Sequence, residues 1–168
     1  MAEIVVAVAN GRTQGEYLID LYQVQMKYHK LYLEDVALGF INDKGDVELI
    51  QTTELTQKKG AKRGAGIGLL AGFAVGGPIG AAIVGGGVGA LIGKHQDKGI
   101  TNELMESLQS RLTNGQALVF AKAEGYNAQL AADFATDVGG ADQVYTATIS
   151  DETESDLIAA YREANPGD

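Results

Sequence analysis

The sequence predicts an α+β fold of the ferredoxin-like type, in which a duplicated βαβ frame is interrupted by a glycine-rich helical hairpin. Strand patterns alternate with helical patterns on both sides of the centre of the chain. The two sides resemble each other weakly, as VVAVANGRTQGEYL beside LVFAKAEGYNAQLA. Between them, residues 64–93 include no charged side chain and 12 of the 23 glycines of the chain. Paired βαβ units typically form one antiparallel sheet, so the central run is interpreted as an insert.

The first half reads as strand, helix, strand, strand. Ile4–Ala9 is a short buried strand, and 13–30 is helical with Tyr17, Leu18, Leu21, Val24 and Tyr28 on one face. Val36–Ile41 and Val47–Thr52 flank a turn-rich segment, which predicts a β-hairpin. The helix includes three tyrosines, Tyr17, Tyr22 and Tyr28, and Tyr32 lies just after it. We expect these tyrosines to cover the core and to form a subunit contact.

The second half partly repeats this order. Thr101–Leu112 is an amphipathic helix, Ala117–Ala121 a strand, Asn127–Val138 a helix and Gln143–Ile149 a strand. A final helix is predicted from Asp151, since this residue is a suitable N-cap and Glu154 stands at the capping-box position.

These elements predict a four-stranded antiparallel sheet with helices on one face. The other face would then need a cover, and we expect self-association to supply it. The predicted organisation is 1–57 for the first half of the ferredoxin-like domain, 58–98 for the hairpin with its flanks, and 99–168 for the second half with the C-terminal helix.

The chain length and composition exclude several classes of protein. A chain of 168 residues is enough for one domain with one core. Because there is no cysteine, disulfides, thiolate metal sites and a cysteine nucleophile are excluded. The net charge of −9 argues against a general nucleic-acid partner. No export signal is visible at the N-terminus, where Glu3 stands in place of a basic residue.

The glycines of the central run have a regular register. Glycine recurs every four residues from Gly64 to Gly80, and after Pro78 the pattern resumes as Ala81, Gly85, Gly89 and Gly93. Four-residue spacing places such positions on one helical face, where the absence of side chains lets another helix approach closely. The predicted helix-packing residues are Gly64, Gly68, Gly72, Gly76, Gly80, Gly85, Gly89 and Gly93. Gly77 and Pro78 interrupt the run, which predicts two helices, 64–76 and 78–93, joined by a turn at these two residues. Each arm would be roughly 20–24 Å long, shorter than a bilayer core of about 30 Å. A single span of about 45 Å through a proline kink remains an alternative.

Basic residues lie on both sides of the run. They are expected to contact anionic lipid head groups, and they are Lys58, Lys59, Lys62, Arg63, Lys94 and Lys98. The alternative interpretation is that these side chains only keep the ends of an apolar segment soluble. Since glycine is about 1 kcal/mol worse than alanine within a helix, lipid or other copies of the hairpin must hold the segment.

Five segments together form a recognisable pattern: the opening strand at 3–9, LEDVALGFINDKGDVELIQ at 33–51, the glycine run, GQALVFAKA at 115–123 and TISDETE at 148–154. In these segments the chain resembles a prokaryotic family known as domain of unknown function twelve sixty-nine, predicted membrane proteins with a central glycine zipper. The resemblance implies the frame-plus-hairpin architecture but no established activity. The insert of this chain is richer in glycine and alanine than is typical of the more hydrophobic members.

No motif indicates a chemical site. His29 and His95 lack partners at metal-ligand spacing. Glu34-Asp35 and the acidic run 151–156 lack calcium-loop spacing, and the loop 10–15 matches no phosphate-binding motif, so we interpret it as a plain β–α turn. No serine lies in a Gly-x-Ser-x-Gly context. We therefore predict no catalytic, cofactor-binding or metal-ligating residue, no cofactor and no small-molecule substrate.

The expected function is that of a non-enzymatic homo-oligomer whose hairpin mediates close helix packing and membrane association, in a stress or envelope role. We expect it on the cytoplasmic side of the membrane, or in the cytoplasm as a soluble assembly. One alternative is a soluble ring, shell or filament with hairpins buried between subunits. Another is a small-ligand sensor that uses the ferredoxin-like sheet face.

Overall fold

The structure, a computed structural model, describes residues 2–45, 47–51 and 102–152, with 155 and 159. Within these residues, five strands and three helices have defined bounds. In chain order they are β1 (Ala2–Ala9), α1 (Arg12–Lys27), β2 (Asp35–Ile41), β3 (Val47–Gln51), α2 (Asn102–Thr113), β4 (Ala117–Ala123), α3 (Tyr126–Asp137) and β5 (Gln143–Ile149).

The strands form one sheet in the order β3-β2-β4-β1-β5, and every neighbouring pair is antiparallel. Without β3, this is the strand order that two interleaved βαβ units produce. The predicted ferredoxin-like α+β fold is therefore confirmed. The sheet differs from the predicted four strands because β3, the second strand of the predicted β-hairpin, pairs with β2 and adds a fifth strand at that edge.

One face of the sheet is covered by α1 and α3. Leu18, Ile19 and Tyr22 of α1 are buried there. On α3 the buried positions are Ala128, Ala131 and Ala135, which stand three and four residues apart on one face. Their small side chains leave room for the larger residues of α1 and the strands.

The apolar face assigned to α1 from the sequence is largely wrong. Leu18 is buried, but Tyr17, Val24 and Tyr28 of that face are exposed. The helix has two apolar stripes, and the sheet contacts the one formed by residues 15, 18, 19 and 22. Gly15 explains why this stripe faces the sheet. A Cβ at this position would lie 2.5 Å from Leu38 Cδ1, so only a glycine lets the helix come this close to the sheet.

The second face of the sheet is covered by α2. Leu108 and Leu112 are buried in a cluster with Ile4, Val6 and Phe120, and Leu104 packs against it. The expectation of a face left for self-association to cover is therefore wrong. The leucines of α2 lie at four-residue intervals, so the helix supplies an apolar stripe to this face.

Arg111 fixes the C-terminal end of α2 against the start of β5. Its Nη1 donates to Asp142 Oδ2 at 2.5 Å and to Gln116 Oε1 at 3.3 Å, and its Nη2 donates to Gln143 Oε1 at 3.1 Å. A hydrogen bond with Tyr145 and the charge of Asp142 raise the pKa of Arg111 above its ordinary value. Because the guanidinium has a rigid geometry and several acceptors, these hydrogen bonds hold α2 in one orientation on the sheet.

Tyr22 connects the two helices of the first face. Its buried hydroxyl donates to the Ala131 carbonyl at 2.9 Å, and burial raises the pKa of this phenol, so it remains a donor at physiological pH. Tyr22→Phe should lower the free energy of unfolding by about 0.5–1.5 kcal/mol, the net contribution of one such hydrogen bond. Urea denaturation measures this loss. The matched control is Tyr126→Phe, at an exposed position at the start of α3, and an equal loss there would contradict the assignment.

Several predicted features lie outside the described residues. These are both arms of the glycine hairpin, its turn at Gly77 and Pro78, the flanking basic residues and His95. Of the predicted C-terminal helix, Asp151, Glu152, Ser155 and Ala159 are described, and all four are helical.

Candidate functional site

A charged cluster lies at the end of the sheet where β2 begins and β4 ends. Asp35 pairs with Lys122 across β2 and β4, and Lys122 pairs with Ile4 across β4 and β1. Paired residues of antiparallel strands project from the same face of a sheet. Since Ile4 belongs to the cluster under α2, the side chains of Asp35 and Lys122 lie on the α2 face.

The cluster consists of Glu34, Asp35 and Lys122, two of which are buried. Asp35 is 0% exposed and Lys122 is 5% exposed. Lys122 Nζ lies 2.8 Å from Glu34 Oε2, and the backbone N–H of Glu34 donates to the Lys122 carbonyl at 2.8 Å. The ion pair and the backbone hydrogen bond together fix the start of β2 against β4.

Within the described part of the chain, only one of the two carboxylate oxygens of Asp35 has a hydrogen-bond partner. Its Oδ1 accepts a hydrogen bond from the backbone N–H of Val36 at 2.8 Å. Its Oδ2 is buried and has no hydrogen-bond partner within the described ranges. Burial raises the pKa of Asp35 from 3.8 to about 7, while the Val36 hydrogen bond and the charge of Lys122 oppose that rise.

This arrangement can take up and release a proton close to neutral pH. It is poorly suited to a metal ion, since Lys122 places a positive charge beside both carboxylates. Among the described residues, no group of three or more His, Asp or Glu side chains could hold a metal. What the cluster offers is therefore a buried titratable group within the sheet frame.

The chain leaves the sheet near this cluster. The last residue of β3, Gln51, pairs with Ala37, two residues from Asp35 on the neighbouring strand. It re-enters the described structure at Asn102, the first residue of α2, which covers the face that holds Asp35 and Lys122. The insert between residues 51 and 102 thus starts at the cluster end of the sheet.

A family model described as "Protein of unknown function (DUF1269)" matches residues 61–162, about three-fifths of the chain. The chain belongs to this family. No curated protein matches it, and neither does any solved structure.

The DUF1269 match confirms the resemblance found in the sequence. It includes the glycine run, the segment 115–123 and TISDETE at 148–154. The opening strand and the segment 33–51 precede the matched range, so the match covers the insert and the second half of the frame.

Within the described part of this DUF1269 chain, no helix has both the length and the apolar character needed to cross a bilayer. The glycines predicted to pack helices and the basic residues predicted to contact lipid lie outside the described residues. The relative positions of these predicted site residues therefore also lie outside the described part of the chain.

The other residues considered from the sequence have structural places in the frame. The loop 10–15 is a β–α turn in which the backbone N–H of Asn10 donates to Gln14 Oε1 at 2.6 Å. Arg12 pairs with Glu16 at 2.9 Å and its guanidinium lies 4.8 Å from the centre of the Phe40 ring. His29 is exposed in the turn after α1, with a positive φ of 56°.

From the sequence, Glu34-Asp35 is a candidate only for a metal site, and the pair has no evident connection with Lys122. One signal was available, since Lys122 interrupts the otherwise apolar strand ALVFAKA, whose seven residues are all buried. A lysine in such a strand needs a buried or half-buried acid. The identity of that acid depends on the strand register, which the sequence does not specify.

Proposed function

We propose that this DUF1269 protein is a non-enzymatic homo-oligomer, in which the ferredoxin-like frame presents a glycine-zipper hairpin for packing against other copies at the cytoplasmic face of a membrane. The observation that carries the proposal is the four-residue spacing of glycines, from Gly64 to Gly80 and again from Gly85 to Gly93. In lipid, close backbone approach supplies the van der Waals contact that drives helix association, and small residues permit it.

The charge distribution supports the membrane part of the proposal. Basic side chains precede the run at residues 58–63 and follow it at 94 and 98, although the whole chain has a net charge of −9. Lysine and arginine near a membrane surface each contribute about 1 kcal/mol of attraction to anionic lipid. Basic residues at both ends favour a hairpin whose two ends lie on the same side.

The frame supports the proposal by where it attaches the insert. The insert begins after β3, an edge strand, so it leaves the sheet without separating β4, β1 and β5. It ends at α2, which Arg111 and the leucine stripe hold onto the sheet. A segment attached between an edge strand and a firmly packed helix is well placed to project from the frame.

The test uses the full chain with Gly72→Leu and Gly89→Leu together. Two leucine side chains on the glycine face should prevent close approach, so the native mass measured by light scattering should fall. The matched control is Phe73→Leu with Val88→Leu, which introduces the same two leucines away from the glycine register. An unchanged mass in the glycine variant contradicts the proposal.

Membrane flotation of the unsubstituted chain distinguishes hairpin packing in a membrane from hairpin packing in a soluble assembly. Flotation with liposomes containing anionic lipid supports the membrane setting. A chain that stays wholly in the soluble fraction as a large particle would instead indicate the soluble ring, shell or filament.

A further inference from the structure

The outward side of α1 has an apolar stripe that the sheet does not use. Tyr17, Val24 and Tyr28 are 51%, 47% and 66% exposed, and Leu21 between them is partly buried. Positions 17, 21, 24 and 28 lie on one face of an α-helix. The opposite stripe packs on the sheet, so α1 is apolar on two sides. A second apolar stripe at helical spacing is the pattern by which one helix docks on another.

The stripe is complementary to itself when it is reversed. In an antiparallel pair of α1 helices centred between residues 22 and 23, Tyr17 faces Tyr28 of the partner subunit, and Leu21 faces Val24 of the partner subunit. A two-fold axis then repeats each contact, as it does in every isologous interface. A parallel pair would instead place each tyrosine against its own copy.

The charges beside the stripe favour the same antiparallel arrangement. Asp20 lies in the N-terminal half of α1 and Lys27 ends the helix, and the two stand on the same flank of the stripe because they are seven residues apart. Neither forms an ion pair within the described ranges, whereas Glu16 is already paired with Arg12. Antiparallel packing places this flank of both helices on the same side of the interface and so brings Asp20 towards Lys27 of the partner subunit. Parallel packing would place the two flanks on opposite sides of the interface and keep these charges apart.

We propose that α1 forms an antiparallel, two-fold contact with α1 of a second copy of this chain through Tyr17, Leu21, Val24 and Tyr28. This contact does not depend on the glycine hairpin, because it uses the outer surface of the frame. A protein with both contacts would have two different self-association surfaces, and two such surfaces allow assemblies larger than a dimer.

Cysteine cross-linking tests the register directly, because the native chain has no cysteine. Full-length Tyr17→Cys and Tyr28→Cys are co-expressed and mildly oxidised. The pair should form a disulfide-linked dimer at least about tenfold faster than either variant alone, since a disulfide requires Cα atoms about 4.4–6.8 Å apart. The control pair, Tyr28→Cys with the exposed Val138→Cys, should stay at background. Equal rates in all samples, or faster linking by Tyr17→Cys alone, would overturn the proposal.

Charge reversal tests whether Asp20 lies close to Lys27 of the partner subunit. Asp20→Lys should slow the cross-linking of the Tyr17→Cys and Tyr28→Cys pair, and adding Lys27→Glu should restore it, because the exchanged charges again attract. Failure of the double reversal to restore the rate would contradict the antiparallel pairing of these two positions.

Repeating the cross-linking with Gly72→Leu and Gly89→Leu separates this contact from the proposed hairpin packing. Cross-linking that persists supports the α1 contact, whatever the mass measurement says of the hairpin. Loss of cross-linking in that background would overturn the claim that α1 forms a contact of its own.

Discussion

Replacing Asp35 with Asn should stabilise the protein above pH 7 and flatten the dependence of its stability on pH. The amide keeps an oxygen that can accept from the Val36 N–H, and it removes a carboxylate that is fully buried. The folded-state pKa of Asp35 is about 7, against an ordinary 3.8. The folded chain therefore binds the proton more tightly than the unfolded chain does.

The sign of the effect follows from proton linkage. Stability associated with Asp35 is fully present below about pH 4 and is lost as the pH rises from there through about 7, because over this range the unfolded chain releases the proton that the folded chain keeps. Over that window the loss amounts to about 2–4 kcal/mol, because each pKa unit corresponds to about 1.4 kcal/mol. The Asn variant has no such loss, so its advantage should grow from near zero at pH 4 to the full amount at pH 8.

Urea denaturation at pH 4, 6 and 8 checks this expectation. The matched control is Asp43→Asn, at an exposed residue of the turn between β2 and β3, which should change the free energy of unfolding by less than about 0.5 kcal/mol. If the stability curves of Asp35→Asn and the native chain run parallel from pH 4 to pH 8, Asp35 does not titrate in this window.

Replacing Gly139 with Ala should destabilise the frame by about 1–3 kcal/mol, the usual cost of overpacking a filled core. Gly139 is buried just after α3, and its N–H donates to the Phe134 carbonyl at 2.9 Å. An added Cβ would lie 2.9 Å from the backbone oxygen of Ala135 and would overlap Leu18 Cδ2. Leu18 is itself fully buried, so it has little room to move.

Thermal or urea unfolding measures this effect, with Val138→Ala as the control one residue earlier. Val138 is 53% exposed, so its truncation should cost less than about 0.5 kcal/mol. The two variants should differ clearly. Equal stability of the Gly139→Ala variant and the native chain would show that α3 can move away from α1 without loss.

The fold class and the elements of the frame could be predicted from the sequence because their signals are local. The strand predicted at Gln143–Ile149 has the bounds observed in the structure, and the continuous apolar runs of β1 and β4 are equally plain. The resemblance to DUF1269 was also recognisable, since the glycine register and the segment GQALVFAKA lie within the matched residues.

The packing faces could not be predicted in the same way. Two apolar stripes on α1 fit the helical period equally well, and the choice between them depends on the close approach of Gly15 to Leu38. The side of the sheet on which α2 packs depends on the path of the chain after the insert. The pairing of Asp35 with Lys122 depends on a register between residues 87 positions apart in the sequence. Each of these is a tertiary contact without a local signal.

The interleaved strand order also has a consequence for how the protein is made. The neighbours of β1 are β4 and β5, and Val6 pairs with Phe120 and with Tyr145. During synthesis, more than a hundred residues must therefore be added after β1 before either of its neighbouring strands exists. The glycine run leaves the ribosome within that interval. A lipid surface, a chaperone or a second nascent chain can thus meet the insert before there is a sheet to which it belongs.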